Sequence, residues 1–486
     1  MGIIEKKFIW PFLGLALILS AGCGRSTVQL DTPEHAQLLQ GDRQSSVEDV
    51  QYQQTIRLSL EEAIVRGFAR NLDARVAALE ELSQQNNITL AQLRALPGVE
   101  ISGGYTGRSN EGASSSESIL TGQQSLEASK STEQHRRVAS LEVNWNLLDA
   151  ALALADAAKA GDEAGVAKER YAKVIQNVER DVYTAYWRAT AYKESRDKNT
   201  KLLTRARDQI EKLDLAASKK LMSSDEASQK IALLAERERN LRDMNDRLQL
   251  AEVELKSLLS IPMGSQLILT TKQKDIASEV RRFTSSDVSE QEWQALQARP
   301  EMREEILKKN MTIRDTRREI YQTFPGLNLL FSREYDGNKY LVDPNWSNFS
   351  AKIVQTITGV ITLPERHNAA KNKEAIADAR RQALSSAIVA QVHMGRMRLA
   401  SMYEANTQSR LTQKAASRKS HAVGGKKMQG MASGQDELLA QIELQIETMR
   451  ASMVYADLQD AYAAMKNTLG ERVVVSPQQI VIAGAR

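Results

Sequence analysis

The 486 residues hold one cysteine, nine prolines and few aromatic side chains, 5% in all. A single thiol excludes an intrachain disulfide framework and a thiolate metal cage. The five histidines (His35, His135, His367, His393 and His421) lie in separate parts of the chain, and none stands at the spacing of a metal-ligating pair. No nucleophile, acid–base or phosphate-binding constellation is present, so the sequence points to no metal, no cofactor and no enzyme. Apolar runs long enough to cross a bilayer as a helix are missing too. The stretch Phe8 to Leu19 is shorter than the roughly 20 residues such a helix needs. Any membrane-spanning part must then be a β-barrel, the other structure that satisfies every backbone polar group in lipid. Charge of one sign is not in excess. Sixty-five basic and 61 acidic residues leave a net +4, interleaved along the chain, which argues for no nucleic-acid partner.

What is there begins at the N-terminus. Lys6 and Lys7 precede the apolar stretch, and Leu19-Ser20-Ala21-Gly22 lead into Cys23. That is the layout of a secretion signal, and the cysteine at its end makes it resemble a bacterial lipoprotein signal. The resemblance implies that Cys23 becomes the mature N-terminus and carries acyl chains; an ordinary signal with an incidental thiol is the alternative. Gly24 follows, where an aspartate would mark inner-membrane retention. The mature chain is therefore expected in the periplasm or outer membrane.

Scarce proline and abundant Ala, Leu, Gln, Glu, Lys and Arg predict long helices. From Ala150 to about Lys220 there is no proline, and Tyr171, Val174, Val178, Val182, Ala185, Ala189 and Tyr192 step by threes and fours. About 70 residues at 1.5 Å each make a rod of roughly 100 Å, longer than a globular domain buries. Leu241, Met244, Leu248, Ala251, Leu255 and Leu258 form a coiled-coil seam, as do Leu439, Ile442, Ile446, Met449, Met453 and Ala456. A charged remaining face suits a hollow helical assembly, although a solid coiled coil shows the same seams. Gly424-Gly425-Lys426-Lys427 lacks the spacing of a phosphate loop and reads as a flexible hairpin tip.

Leu60 to Leu96 reads as helix, stopped by Pro97-Gly98. Val99, Ile101, Gly103 and Tyr105 then alternate with polar or small residues, as do Leu141, Val143, Trp145 and Leu147. Later come Leu327, Leu329 and Phe331, then Phe349, Ala351, Ile353 and Ile357. Period-two patterning marks strands with one apolar face, whether in a membrane barrel or in surface hairpins. The chain also repeats itself. Leu96-Pro97-Gly98-Val99 recurs as Phe324-Pro325-Gly326-Leu327, and Leu258-Leu259-Ser260 as Thr468-Leu469-Gly470. The first offset is 228 and the second 210, so the first half holds 18 extra residues. The Ser/Gln-rich stretch Ala113 to Gln134 accounts for much of that excess and reads as an exposed loop.

A duplicated unit of this order behind a lipoprotein-type signal resembles the TolC-like outer-membrane efflux family, over about Leu58 to Gly470. The pieces that carry the likeness in the first half are Leu58-Ser59-Leu60-Glu61-Glu62-Ala63-Ile64, Leu96-Pro97-Gly98 and Leu148-Asp149-Ala150. In the second they are Arg299-Pro300-Glu301-Met302, Phe324-Pro325-Gly326 and the run from Gly430 to Gln441. That run fits the pattern Gly-x-x-Ser-x-x-Asp-x-Leu-x-Ala-Gln at every fixed position. The first-half counterpart departs from it, with Lys220 for the glycine, Glu226 for the aspartate and Lys230 for the alanine.

The resemblance implies a mainly α fold with a small β part. Long coiled-coil helices would form a trimeric α-barrel, and four strands per protomer would join one shared twelve-stranded transmembrane barrel. It divides the chain into a signal (1–22), an extended segment (23–57), a first repeat (58–262), an inter-repeat equatorial segment (263–290), a second repeat (291–470) and a tail (471–486). It implies a homotrimer in outer-membrane lipid, anchored by Cys23 and reaching into the periplasm. The function implied is the passive channel of a tripartite efflux system, working with a periplasmic adaptor (membrane fusion protein) and an inner-membrane transporter. The exit channel of a type I secretion system is the near alternative. A coiled-coil adaptor lipoprotein is the distant one, and would have one helical hairpin rather than two. The docking tips for the adaptor would be Lys220, Leu221, Met222, Ser223 and Ser224, with Gly430, Met431, Ala432 and Ser433. The periplasmic gate candidates are Asp225, Glu226, Asp436 and Glu437, because a threefold axis turns one lumen-facing carboxylate into a ring. The competing reading makes them helix-start residues favoured by the dipole.

Overall fold

The computed structural model describes residues 55–125 and 127–472, with isolated helical positions at 37, 39, 40 and 41. Cys23, the signal and the tail beyond residue 472 lie outside the described residues. The chain divides into two compact units. The described part of the smaller comprises residues 37, 39–41, 55–57 and 261–268; β1 (Thr55–Leu58) pairs with β4 (Gln266–Leu269).

The larger unit opens with α1 (Leu60–Arg70) and α2 (Leu72–Leu93). Sequence periodicity predicts one helix from Leu60 to Leu96, and Asn71 divides it. Its backbone is extended, and its side-chain oxygen accepts the Ala74 N–H at 3.0 Å, capping α2. Ser59 caps α1 through a capping box with Glu62. After Pro97 the chain enters β2 (Gly98–Gly107), crosses an exposed Ser/Gln-rich loop, and returns as β3 (His135–Asn146). Asn146 ends β3 and caps the next helix, accepting the N–H groups of Leu148 and Asp149 at 2.9 and 3.1 Å. For that reason Leu147, expected in the strand, begins α3 (Leu147–Ser218). At 72 residues, α3 is about 110 Å long. It folds back as α4 (Ser224–Leu258).

Two short helices, α5 (Ala277–Ser285) and α6 (Val288–Ala298), lead into α7 (Pro300–Tyr321). The strands β5 (Gly326–Asp336) and β6 (Asn345–Val354) follow. Ile357 falls in a short helix, α8 (Ile357–Ile361), rather than in β6. Then come α9 (Leu363–Met428) and α10 (Gly434–Thr468). Gly424 and Gly425, expected at a flexible tip, are inside α9, and the reversal comes later, at residues 429–433.

Both seams predicted from the sequence pack in the core. Leu241 and Leu248 of α4 meet Leu202 and Ala206 of α3, and Ile442, Ile446 and Met449 of α10 join the same cluster. A second cluster gathers Phe283 and Met302 with Ile388, Val392 and Leu399 of α9 and Met465 of α10. The middle helices are not equivalent in their packing. α7 lies against both α3 and α9. Arg314–Asp162 (2.5 Å) and Arg318–Asp156 (2.6 Å) tie it to α3, and Lys309–Asp378 and Lys373–Glu319 (both 2.6 Å) tie it to α9. α2 packs along α3 through Ala74, Ala77 and Ala91 and leaves Leu72, Val76, Leu79 and Leu90 exposed.

Both hairpin reversals use the same motif. After α3, the Leu221 N–H reaches the Ala216 carbonyl at 2.9 Å and the Lys220 N–H reaches that of Ala217 at 3.0 Å. After α9, Met431 reaches Lys426 at 2.8 Å and Gly430 reaches Lys427 at 3.0 Å. This paired bonding requires a left-handed residue at the turn, and Lys220 has φ +58° where Gly430 has φ +74°. Ser223 and Ser433 then cap α4 and α10. Only the second is a full capping box: Asp436 accepts the Ser433 N–H at 3.0 Å and hydroxyl at 2.7 Å.

Two expectations follow. A Cβ at Gly430 would meet open space, so the strain there is that of the backbone alone, about 1 kcal/mol for a non-glycine residue. Lys220→Gly is expected to strengthen the first reversal by that amount and Gly430→Lys to weaken the second. Amide exchange at Leu221 and Met431 reads both, and like-signed changes would contradict the account. The Ser433 hydroxyl and N–H hold the Asp436 carboxyl below its usual range. A depressed pKa contributes stability above the unfolded value, about pH 4, that is lost as pH falls through the folded one. Exchange protection at the start of α10, corrected for intrinsic rates, is expected to fall on acidification in the wild type and to change less in Asp436→Asn.

Candidate functional site

Two surfaces carry the candidate chemistry. The first is the antiparallel sheet, in the order β2-β3-β5-β6. Residues directly opposite one another share a face, so the register sorts every side chain. One face has the rows Val99–Val143–Phe331–Phe349 and Trp145–Leu329–Ala351, with Ile101 beside Leu141 and Leu327 beside Ile353. The other has Glu100–Glu142–Ser332–Asn348 and Ser102–Ser140–Glu334. The polar face is bonded within itself. The Ser102 and Ser140 hydroxyls meet at 2.8 Å, Asn348 Nδ2 donates to Glu334 at 2.8 Å, and Arg136 pairs with Asp336. The apolar face is open, with Ile101 82%, Phe349 74% and Ile353 73% exposed. β2 and β6 form the two edges of the sheet and have no further strand partner among the described residues. Aromatic residues mark both ends of the apolar face: Trp145 at the helix end, bonded to the Ala95 carbonyl at 3.0 Å, and Tyr335 and Tyr105 at the loop end.

The second surface is the pair of reversals. The structure brings Lys220 to Ser224 and Gly430 to Ser433 to the ends of two adjacent hairpins, joined by a 3.4 Å bond from Gln435 Nε2 to the Lys230 carbonyl. Leu221 and Met431 are exposed there, at 76% and 67%, while Met222 and Ala432 are half-buried. Each of the four acids has a partner within its own hairpin. Asp436 is committed to the cap of α10, and Glu437 pairs with Lys427. Glu226 pairs with Lys230 one turn on, at 2.7 Å. Asp225 accepts only the neutral amide of Gln229, at 2.9 Å.

Elsewhere the histidines are dispersed: His135 stacks on Tyr105, and His393 meets Glu292 at 2.7 Å. Among the described residues no group of three His, Cys, Asp or Glu side chains could hold a metal ion, and no helix is long and apolar enough to cross a membrane. A groove of about 610 Å³ between α9 and α10 is floored by Ala405, Ser409, Thr412 and Ala416. Sequence reasoning did not reach the ion pairs that tie α7 to α3 and α9, because their members stand 54 to 162 residues apart.

No protein-family model matches the sequence, and no curated protein matches it. Solved structures do. The Campylobacter jejuni CmeC outer membrane channel is 12% identical with a TM-score of 0.65, over 87% of this chain and 89% of that one. The open-state MtrE outer membrane channel of Neisseria gonorrhoeae is 13% identical with a TM-score of 0.61, over 85% and 89%. The outer membrane protein VceC of Vibrio cholerae is 13% identical with a TM-score of 0.61, over 85% and 96%. At such identities the likeness is one of fold. The chain has the fold of these outer-membrane channels, mainly helical with a small sheet.

Proposed function

We propose that the chain is one protomer of a trimeric outer-membrane efflux duct of the TolC-like family. The sheet carries this reading. An open apolar face, a self-bonded polar face and two unpaired edges are liabilities in water. In lipid the apolar face is solvated, and three copies close twelve strands into a barrel without edges. The strands are 10 to 12 residues long, enough to span a bilayer when tilted. Alternation of apolar-out and polar-in is the pattern of such barrels.

The trimer is supported by an asymmetry inside the protomer. We take 58–262 and 291–470 as two copies of one unit, flanking an equatorial segment at 263–290. Two pairs of left-handed residues, Lys220 with Gly430 and Ser260 with Gly470, share the same 210-residue offset. At the first offset, 228, α2 (Leu72–Leu93) answers α7 (Pro300–Tyr321). α7 packs between two long helices, whereas among the described residues the long helix along which α2 packs is α3, and α2 has an exposed row of Leu72, Val76, Leu79 and Leu90. The second partner of α2 is α9 of the next protomer, which exposes Ile376, Met394 and Met397.

Cys23 would anchor the mature chain, and the α-barrel would reach through the periplasm to an adaptor and an inner-membrane transporter. The tips Lys220–Ser224 and Gly430–Ser433 are the docking surface in this reading, with Leu221 and Met431 as its apolar points. The gate role narrows to Asp225, since Asp436, Glu437 and Glu226 are neutralised or capped within their own hairpins. An adaptor would carry one helical hairpin, and this chain has two.

Phe349→Arg puts a cation on the apolar face one row nearer the helix end than Arg333, at an expected cost of up to about 2–4 kcal/mol in lipid. It should abolish membrane-inserted trimer and conductance in planar bilayers, whereas Asn348→Arg, one residue away on the polar face, should insert. Equal behaviour of the two variants would refute the barrel. Ser433→Arg should block export while bilayer conductance persists. Ser433→Ala, which loses only a cap worth about 1 kcal/mol, should still export. Export by Ser433→Arg with its partners present would remove the docking assignment.

A further inference from the structure

The apolar face of the sheet carries two formal charges, both cationic and both in its loop-end half. The opposite face holds Glu100, Glu142, Glu334 and Asp336 together with Arg136 and Lys352; the apolar face holds Arg333, Arg137 and no acid. Arg333 stands between Leu141 and Ser347, and its guanidinium donates to the Ser347 hydroxyl at 3.1 Å. Arg137 lies one strand over in the outermost row, beside Tyr105. Its side chain is exposed and has no hydrogen bond or ion pair among the described residues. Tyr335, opposite Ala139, lies in the row between them.

On the membrane reading of the sheet, on which this inference rests, the face looks into lipid. A cation there is costly at the midplane and nearly free at the interface, which fits its absence from the helix-end half. The two arginines are four residues apart along the strands, since Arg333 pairs with Leu141 and Arg137 lies four residues before it. That is about 13 Å along the chain and roughly 10 Å along the membrane normal at a typical barrel tilt. Arginine stems extend toward the interface along apolar surface, so both guanidiniums reach one headgroup layer. The flanking tyrosines belong to the same layer. What a planar, permanently charged fork recognises there is a phosphate, which it can grip with two parallel bonds. No carboxylate on this face competes for either guanidinium.

We infer that Arg137 and Arg333 form a binding site for the phosphorylated headgroup of an outer-leaflet lipid, on the lipid side of β3 and β5. The site lies within one protomer, so a trimer would carry three around its rim. The test compares wild type, Arg137→Leu, Arg333→Leu and the double variant, extracted in mild detergent and examined by native mass spectrometry. Each is also reconstituted in phosphatidylcholine vesicles with or without lipid A, a bisphosphorylated glycolipid. Wild type should retain phosphorylated lipid and melt higher with lipid A. The double variant should insert equally well but retain about tenfold less, the single variants falling between. Wild-type retention by the double variant would overturn the inference, as would an equal melting shift with inorganic phosphate, which would make it a free-anion site. If wild type inserts and shows no preference for lipid A, this site fails and the barrel stands. If wild type inserts in neither vesicle, the barrel reading fails first.

Discussion

A backbone amide in hydrocarbon has no water to turn to, and on the membrane reading proposed above most of this architecture follows from that. Four antiparallel strands satisfy one another at three seams and leave β2 and β6 with open edges. The period-two alternation that builds the sheet also gives it a face that water solvates poorly, from Val99 to Phe349 along a single row. No packing choice within one chain removes both problems. Covering the face would need a layer of helices, and the long helices leave from one end of the sheet instead. The proposed reading puts lipid on one side and further copies at the edges, which would answer both.

The joint between sheet and helix is where this demand meets the rest of the chain. Asn146 is the last residue of β3 and the cap of α3, so one side chain ends the strand ladder and starts a 72-residue helix. Gly326 at the start of β5 lies close by: a Cβ there would sit 3.4 Å from the Asn146 side chain. The strand direction is thus handed to the helix with little freedom at this joint. Further along, coiled-coil seams hold α3 to α4 and α9 to α10, while Leu202, Leu241 and Ile442 draw the two hairpins into one cluster. In the proposed duct the wall would have charges paired along its length, as those of α7 are.

Much of this was legible in the sequence because it depends on local periodicity. Alternation at Val99–Tyr105 and Leu141–Trp145 located the strands, and three-four spacing located the seams. The errors fall where one side chain overrides the pattern. Leu147 continues the strand alternation, yet Asn146 caps before it; Leu60 to Leu96 is periodic, yet Asn71 splits it. Gly424 and Gly425 look like a reversal, but the motif that reverses the chain is completed at Gly430. The partners of the gate candidates were beyond reach for another reason. Whether Glu437 is a free charge depends on Lys427 across the turn, and only the folded hairpin brings the two together.

The same comparison bears on how such a wall could move. α7 is fastened on both flanks by ion pairs between partly exposed side chains, each geometrically specific and hard to slide. The exposed row of α2 includes Leu72, Val76, Leu79 and Leu90, aliphatic side chains that repack at low cost because dispersion and burial have little directionality. In a trimer built as proposed, the seam inside each protomer is the stiff one and the seam between protomers the compliant one. Dilation of the duct would then be a rotation of whole protomers past one another, with each pair of hairpins moving as a unit. The bond from Gln435 to the Lys230 carbonyl, which ties the two tips of one protomer together, is consistent with that division. Opening would thus separate tips of different protomers while those of one protomer stay joined.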